Sequence, residues 1–257
     1  MNIVKIYIVM ITAIIMLLGF GDNTKAQDND FPFKPGEKLT YALRWLFIPA
    51  GEAVMEVLPI ETINGIKAHH FLLTVRSTPF VDQFYKVRDR IDAYTDMGIN
   101  HSILYKKKQL EGTTHRDIVV QFNWEKNEAI YTNFDEKRDP IEVPSGTLDP
   151  LSSFYYTRLF NLKPDLLIER WVTDGKKYVI GKAVIIKRET IKLTSGTFDT
   201  YLMEPEVEHI GGVFERSKGA KIQIWVTADQ RQIPVKIRSE VVVGSFVGEL
   251  VSATGLK

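Results

Sequence analysis

Three charged residues are predicted to lie on the apolar faces of two strands and one helix. A charge in such a position could bind a ligand or take part in catalysis. Asp89 lies on the apolar face of one predicted strand, Arg116 on that of another, and Arg158 on the apolar stripe of a predicted helix. A buried charge is tolerated only when it is paired and hydrogen-bonded. The pattern therefore favours an internal ion pair of Asp89 with Arg116 or Arg158. The alternative is that these charges line a cavity and hold the headgroup of a ligand.

Aromatic side chains are further candidates for ligand contact. Trp225 falls on the polar face of its predicted strand, and an outward Trp can stack on a sugar or contact a lipid. Tyr155 lies on the apolar stripe of the predicted helix. Most of the other large aromatic residues are expected in the core: Trp45, Phe47, Phe80, Phe84, Tyr85, Trp124, Phe154, Tyr156, Phe160 and Trp171.

Several familiar chemistries have no residues to support them. The chain has no Cys, which excludes thiol catalysis, Cys-based zinc sites and disulfides. His69 and His70 would point to opposite faces of a strand, so they cannot share a metal ion, and no metal site is predicted. Ser245 is not the middle residue of a nucleophile elbow, and no glycine-rich phosphate loop occurs. We therefore predict no cofactor, and catalysis is not favoured.

The N-terminal residues have the pattern of a secretory signal peptide. Lys5 precedes an apolar run over residues 6–20, and Thr24-Lys25-Ala26 forms a cleavage site. We predict cleavage after Ala26 and a periplasmic mature protein without a membrane span; an uncleaved anchor is the alternative. Cleavage removes two of the 33 basic and one of the 32 acidic residues, which leaves a mature net charge of zero. This balance argues against a nucleic-acid partner.

The mature chain has the pattern of successive β-strands joined by short turns. Alternation of apolar and polar residues, as in residues 220–228, recurs in about thirteen segments. Asn64-Gly65 is the strongest hairpin signal. Pro234 lacks a ladder donor and is predicted at a sheet edge, and Gly244-Ser245 is predicted as the last hairpin turn. Residues 27–37 are interpreted as a polar leader segment.

One segment breaks the alternation. Residues 147–164 carry an N-cap at Asp149, Pro150 at the first helical position, an apolar stripe and Pro164 as a stop, which predicts a helix. One apolar helix in an otherwise all-β chain suits a curled sheet with a covered opening. We predict a single all-β domain over residues 27–257, forming an antiparallel, curled, partly open barrel or β-roll with one short helix. A β-sandwich is the alternative.

Four stretches together span almost the whole mature chain. They are PGEKLTYALRWLFIPAGEAVMEV from Pro35, VRDRIDAYTD from Val87, DPLSSFYYTRL from Asp149 and KIQIWVTADQRQIPVKIRSEVVVGSFVGEL from Lys221. In this order they resemble the domain of unknown function 3108 family, exported bacterial proteins with no established activity. The resemblance implies a periplasmic, mostly β protein and supplies no catalytic residues. The family often has an acid where this chain has Ala228, which weakens any idea of a metal-binding acidic pair there.

Three functions remain open from the sequence. The first is a non-catalytic cell-envelope protein that binds or carries an apolar or amphipathic ligand, such as a lipid, inside the curled sheet with the helix near its mouth. It rests partly on analogy with envelope lipoprotein carriers. The second is an envelope-polysaccharide enzyme or accessory factor in which Asp82, Asp89 or Asp92 does acid and base work on a glycan. The third is a structural assembly partner of an outer-membrane complex. The oligomeric state is not determined by the sequence.

Overall fold

The computed structural model describes residues 31–206, 221–241 and 244–257, so the predicted signal peptide and its cleavage site lie outside the described residues. The described residues form fifteen strands and two short helices. The helices are α1 (Pro79–Asp82) and α2 (Pro150–Thr157). The strands are β1 (Lys38–Trp45), β2 (Ile48–Ile63), β3 (Ile66–Ser77), β4 (Arg88–Asp96), β5 (Ser102–Glu111), β6 (Thr114–Asn123), β7 (Glu128–Asn133), β8 (Glu136–Lys137), β9 (Ile141–Glu142), β10 (Leu167–Thr173), β11 (Tyr178–Leu193), β12 (Gly196–Pro205), β13 (Lys221–Thr227), β14 (Pro234–Val241) and β15 (Gly244–Thr254).

All the described strands belong to one antiparallel sheet. Its order is β10-β11-β12-β13-β14-β15-β1-β2-β3-β4-β5-β6-β7-β8, and β9 pairs with β7. The pairing of β15 with β1 joins the C-terminal strands to the N-terminal ones. Within the described ranges the terminal strands β10 and β8 do not pair with each other, so the sheet curls without closing. The predicted curled, partly open antiparallel fold is confirmed, and the sandwich alternative is not what the chain forms.

One face of the curled sheet surrounds an apolar interior. On β1 the side chains of Leu39, Tyr41 and Leu43 are buried, whereas the residues between them are more exposed. This is the period-2 alternation expected of a strand with one face in the core. Phe71 of β3 and Ile224 of β13 join the same hydrophobic cluster, although they lie on distant strands. The interior is therefore shared by both halves of the chain.

Helix α2 covers one end of the curled sheet, which we call the helix end. Asp149 caps the helix by accepting hydrogen bonds from the backbone N–H groups of Leu151 and Ser152, both at 2.9 Å. Ser102, at the start of β5, donates its hydroxyl to the same carboxylate at 2.5 Å. Burial raises the pKa of Asp149 above its usual value, and these hydrogen bonds offset only part of the rise. The predicted cap at Asp149, with Pro150 in the first turn, is confirmed.

A two-residue strap crosses the gap between β5 and β10 at the helix end. The carbonyl of Thr147 accepts a hydrogen bond from Ser102 N at 3.1 Å. Leu148 N donates to the carbonyl of Trp171 at 2.9 Å, and Leu148 O accepts from Thr173 N at 3.0 Å. These bonds satisfy backbone groups of the edge strand β10 that would otherwise need water. The open sheet is thus sealed at this end by the segment that leads into α2.

The opposite end of the sheet, which we call the open end, carries three connections. They are the β1–β2 turn at Leu46 and Phe47, the β3–β4 connection over residues 78–87 and the β5–β6 turn at residues 112–113. Helix α1 lies in the second of these. Thr78 caps it, since its hydroxyl oxygen accepts a hydrogen bond from Val81 N at 3.4 Å. This helix and the two-residue strands β8 and β9 were not predicted from the sequence.

Three local predictions were wrong. Phe33 and Glu37 are 3% and 1% exposed, so residues 31–37 pack into the protein and are not a polar leader. Pro234 begins β14, which lies between β13 and β15 and not at an edge, and a register shift in β13 opposite Pro234 accommodates its missing N–H. Gly244 already belongs to β15 and pairs with Val241, so Gly244-Ser245 is not the hairpin turn.

Candidate ligand-binding cavity

An apolar cavity opens at the open end of the sheet. Its volume is about 240 Å³, which exceeds the roughly 150 Å³ of an engineered apolar cavity known to stay dry and bind benzene. Its inner wall is formed by Leu43, Val75 and Phe246, all members of the hydrophobic core. Towards solvent it is bounded by Phe80 and Phe84, which are 64% and 70% exposed. The cavity therefore extends the core to the protein surface.

Few polar side chains line this cavity. They are those of Trp45, Arg76, Ser77 and Tyr85. The side chain of Arg76 is 64% exposed and lies 3.9 Å from Glu52, so its charge is in solvent. The hydroxyl of Ser77 donates to Asp82 of α1. The charge of Arg76 and the hydroxyl of Ser77 are thus engaged outside the cavity, and the other lining residues are mainly apolar, which suits hydrocarbon.

A smaller cavity of about 50 Å³ adjoins the first. Leu43 and Phe246 line both cavities, and Phe154 of α2 lines only the smaller one. Helix α2 therefore contributes to the deep side of the apolar space. The prediction that this helix lies near the mouth was wrong, because α1 occupies that position.

Two buried carboxyl groups lie on the inward faces of β4 and β5 near Tyr85. Asp89 and Glu111 are 4% and 0% exposed and hydrogen-bonded to each other. Asp89 also accepts a hydrogen bond from Leu110 N at 3.0 Å. Burial, followed by the negative charge of Glu111, raises the pKa of Asp89 to about 8. Asp89 therefore retains its proton in most molecules at neutral pH.

Tyr85 lines the cavity and also lies close to these carboxyl groups. Its pKa is raised to about 12 by burial and by the charges of Glu111 and Asp89, so the phenol stays neutral. The ring packs over Gly112, where a Cβ atom would come within 2.6 Å of it. Because Gly112 also has φ +59°, a larger residue there would strain the backbone and displace the ring.

Asp89 does not have the ion-pair partners that we predicted. The nearby cation is Lys107, an inward, half-buried residue of β5 whose pKa is lowered by burial and raised by Glu111 and Asp89. Arg116 is exposed at the start of β6, opposite Gln109 in the register, and contacts neither carboxylate within salt-bridge distance. The inward position of Asp89 agrees with the prediction, whereas the buried carboxyl group of Glu111 was not predicted.

Arg158 and Tyr155 lie at the helix end, away from the cavity mouth. Arg158 donates to both carboxylate oxygens of Glu37, at 2.6 and 2.9 Å, and to the carbonyl of Arg231 at 2.8 Å. Tyr155 is fully buried, and its ring stacks on that of Phe71 with 3.9 Å between centroids. The structure therefore assigns both residues to packing in the core and separates them from Asp89.

Trp225 is not an exposed stacking platform. It lies on the outward face of β13, as predicted, but is only 9% exposed. Its indole N–H donates to Glu189 at 3.0 Å, and the ammonium group of Lys236 lies 5.5 Å from the ring centroid. The neighbouring strands therefore cover the ring that the sequence pattern left open to a ligand.

The carboxylates considered for acid and base catalysis lie in three separate places. Asp82 is on α1 and pairs with Arg88 at 2.6 Å. Asp89 faces the interior, whereas Asp92 faces outward and hydrogen-bonds to His70 Nε2 at 2.9 Å. Glycoside hydrolysis uses two carboxyl groups that flank one bond. These three do not form such a pair. Among the residues that the structure describes, no cluster of His, Asp or Glu is arranged to hold a metal ion.

Three of the aromatic residues for which a core position was favoured are exposed. They are Phe47, Phe80 and Phe84. A usable signal was present, because Thr78-Pro79 is the same combination of N-cap and first-turn proline that predicted α2 at Asp149-Pro150. The helix start at Thr78 would have indicated a short amphipathic segment at the end of β3.

The fold and the cavity together define a class: curled, partly open antiparallel β proteins with an apolar interior that reaches the surface at one end. The chain belongs to the DUF3108 family, described as a protein of unknown function, whose model matches residues 40–251. The resemblance deduced from the sequence is confirmed. A comparison with curated proteins found no match.

Solved structures with similar folds have low sequence identity to this chain. A β-barrel-like protein of domain of unknown function DUF1849 from Brucella abortus has a TM-score of 0.55 and 10% identity, covering 84% of this chain and 96% of that chain. A Bacteroides fragilis protein described as exported, with a YmcC-like fold, has a TM-score of 0.39 and 8% identity over 87% and 98% of the two chains. A Parabacteroides distasonis protein described as a lipoprotein has a TM-score of 0.38 and 12% identity over 89% and 100%. The first of these supports the fold alone.

The two described helices are both short. Neither is long and apolar enough to span a membrane.

Proposed function

We propose that this protein is a non-catalytic cell-envelope protein that binds or carries an apolar or amphipathic ligand, with the ligand's hydrocarbon part in the cavity at the open end. The observation that carries the proposal is the cavity itself: about 240 Å³, walled by Leu43, Val75 and Phe246, and open to solvent between exposed aromatic rings. Apolar cavities of this kind stay dry and bind hydrocarbon. Burial of each methylene group contributes about 0.8 kcal/mol to binding.

The size and lining of the cavity limit the class of ligand. Pockets for drug-sized molecules have volumes of roughly 300–1,000 Å³, so about 240 Å³ suits one acyl chain or one ring system. The headgroup would remain at the mouth, where Arg76 and Lys86 are exposed. In this proposal Asp89 and Glu111 pack near Tyr85, which forms part of the cavity wall. Arg116 does not line the cavity.

The location in the cell forms part of the same proposal. The signal-peptide pattern over residues 1–26 supports export, cleavage after Ala26 and a periplasmic mature protein. The apolar space is shared by strands from both halves of the chain, which supports one domain over residues 27–257. A protein that handles lipid in the envelope would be exported in this way.

A direct test is to identify what the purified protein carries. The mature chain is purified without detergent, extracted with organic solvent and analysed by mass spectrometry. A lipid or other apolar molecule present at about one equivalent supports the proposal. If the extract is empty, the apo protein is titrated with the fluorescent fatty acid cis-parinaric acid. Absence of saturable binding with one site per chain would overturn the proposal.

A Leu43→Trp variant is expected to weaken binding of cis-parinaric acid by more than tenfold. Leu43 borders both cavities, so the larger indole should occupy space that a bound chain needs. Excluding two methylene groups would remove about 1.6 kcal/mol of binding free energy, which corresponds to more than tenfold in Kd. Fluorescence titration measures the affinity, and thermal unfolding checks the fold. Val251→Trp is the matched control, because Val251 is 50% exposed and lines neither cavity. Equal affinities in the two variants would place the ligand elsewhere.

A further inference from the structure

Large apolar side chains surround the mouth of the cavity and project into solvent. Phe47 is 84% exposed, Phe84 70%, Phe80 64% and Leu46 48%. We call these four residues the rim. Exposed apolar side chains that occur singly need no explanation, but clustered ones mark sites of protein or membrane interaction. The rim comes from two segments that are distant in sequence, the β1–β2 turn and the α1 region, so its assembly depends on the fold.

The backbone holds the rim in an exposed position. Thr78 N donates to the carbonyl of Ala50 at 3.0 Å, which ties the start of α1 to β2. Phe84 N donates to the carbonyl of Val81 at 3.0 Å, and the rings of Phe80 and Phe84 contact each other edge to face at 5.6 Å. In the other segment, Leu46 N donates to the carbonyl of Ser245 at 2.9 Å. The rim residues are therefore presented on anchored turns.

The charges beside the rim are mainly positive. The rim-bearing residues 44–52 and 76–88 contain four cations and two carboxylates. The cations are Arg44, Arg76, Lys86 and Arg88, and the carboxylates are Glu52 and Asp82. Asp82 pairs with Arg88 at 2.6 Å, and Glu52 lies 3.9 Å from Arg76. A third carboxylate, Glu249 of β15, lies 2.6 Å from Arg44. Each of the three arginines therefore has a carboxylate beside it, and Lys86 adds a net positive charge next to the apolar side chains. This combination suits an anionic lipid surface, where basic residues add electrostatic attraction to apolar insertion.

We propose that the rim is a membrane-docking surface that inserts into the interface of a bilayer containing anionic lipid and so places the cavity mouth against the lipid. Docking to the membrane is inferred from the rim and its charges alone. Docking would let an apolar chain pass between bilayer and cavity without exposure to water, and this role rests on the proposed function. The geometry fits this use, since Phe80 and Phe84 belong both to the rim and to the cavity wall.

The test is flotation of the mature protein with vesicles of phosphatidylcholine and phosphatidylglycerol. The triple variant Phe47→Ser, Phe80→Ser, Phe84→Ser is expected to bind these vesicles at least tenfold more weakly than the wild type. The control is the double variant Ile60→Ser, Ile66→Ser, whose side chains are 46% and 45% exposed on the β2–β3 hairpin, outside the rim. It should bind as the wild type does. Equal binding by the wild type and the triple variant, or no binding by either, would overturn the proposal.

Trp45 provides an independent measurement of insertion. It lines the cavity beside the rim and stacks on Phe246 with 6.4 Å between ring centroids. Vesicles containing a brominated phosphatidylcholine should quench its fluorescence in the wild type, and a Trp45→Phe variant should lose most of this quenching. Quenching that is unchanged in Trp45→Phe would show contact through another surface and contradict the proposal.

Docking and cavity binding can fail separately. The Leu43→Trp variant should still float with vesicles, because the rim is unchanged. A Leu46→Ser, Phe47→Ser double variant should float less than the wild type and still bind soluble cis-parinaric acid, because neither residue lines the cavity. Absence of fatty-acid binding by the wild type, together with intact flotation, would contradict only the proposed function. A second copy of the chain is the competing occupant of the rim. Analytical ultracentrifugation that shows a dimer abolished by the triple variant, together with no flotation of the wild type, would overturn docking to membranes.

Discussion

An Arg158→Met variant is expected to lose about 4 kcal/mol of unfolding free energy. Arg158 and Glu37 are 2% and 1% exposed, and the guanidinium group donates to both carboxylate oxygens. Removing one partner of a buried pair leaves the other charge without compensation in a medium that solvates it poorly. The pair also joins the segment before β1 to the end of α2, so both would be loosened. Urea denaturation followed by tryptophan fluorescence at pH 7 measures the effect.

The double variant Glu37→Leu, Arg158→Met separates the loss of the pair from the penalty for an orphaned charge. It is expected to recover much of the lost stability, because apolar residues of similar volume can replace a buried ion pair. Recovery should stay incomplete, since the carbonyl of Arg231 loses its hydrogen bond from Arg158. Arg188→Met is the control: Arg188 pairs with Asp199 at the surface, and its removal should change stability little. An Arg158→Met protein as stable as the Arg188→Met protein would contradict the burial of the pair.

Local patterns predicted the elements that depend on short-range chemistry. Asn64-Gly65 lies between β2 and β3, as a hairpin turn should, and Asp149-Pro150 begins α2. Alternation along the strands predicted which face is apolar, and this is why Asp89 was placed in the interior correctly. A curled sheet follows from such alternation when many strands share one apolar face.

Partners across the fold could not be read from the sequence. Arg158 is 121 residues from Glu37, and Asp89 is 22 residues from Glu111 on a neighbouring strand. The alternation of residues along a strand predicts that a charged side chain faces the interior. It does not identify the residue on the neighbouring strand that the register places beside that charge. The edge position predicted for Pro234 was wrong for a similar reason. The position of β14 in the sheet depends on the pairing of β15 with β1, and these two strands are more than 200 residues apart in sequence. The cavity depends on the same long-range pairing.

The second large expected effect is on the pH dependence of folding stability. In the wild type the ionisation of buried Asp89 should lower the free energy of unfolding between about pH 4 and pH 8, and the Asp89→Asn variant should lose most of this decrease. Burial and the charge of Glu111 raise the pKa of Asp89 to about 8 in the folded protein, whereas it is near 4 in an unfolded chain. A carboxyl group whose pKa is higher in the folded state takes up a proton on folding. Folding stability therefore falls as the pH rises between the two values.

The measurement is urea denaturation of the wild type and Asp89→Asn at pH 5, 7 and 9. The variant is expected to gain about 4 kcal/mol relative to the wild type from the lowest to the highest pH, because the interval from pH 5 to pH 8 spans about three pH units at about 1.4 kcal/mol each. Burial lowers the pKa of Lys107, which acts in the opposite sense. Lys107 is present in both proteins, so the comparison removes the part of its contribution that does not depend on the charge of Asp89. Asp199→Asn is the control, since the pKa of this exposed carboxyl is lowered by Arg188 and it stays ionised throughout the range. If Asp89→Asn and the wild type gave parallel pH profiles, Asp89 would not be protonated in the folded protein at neutral pH.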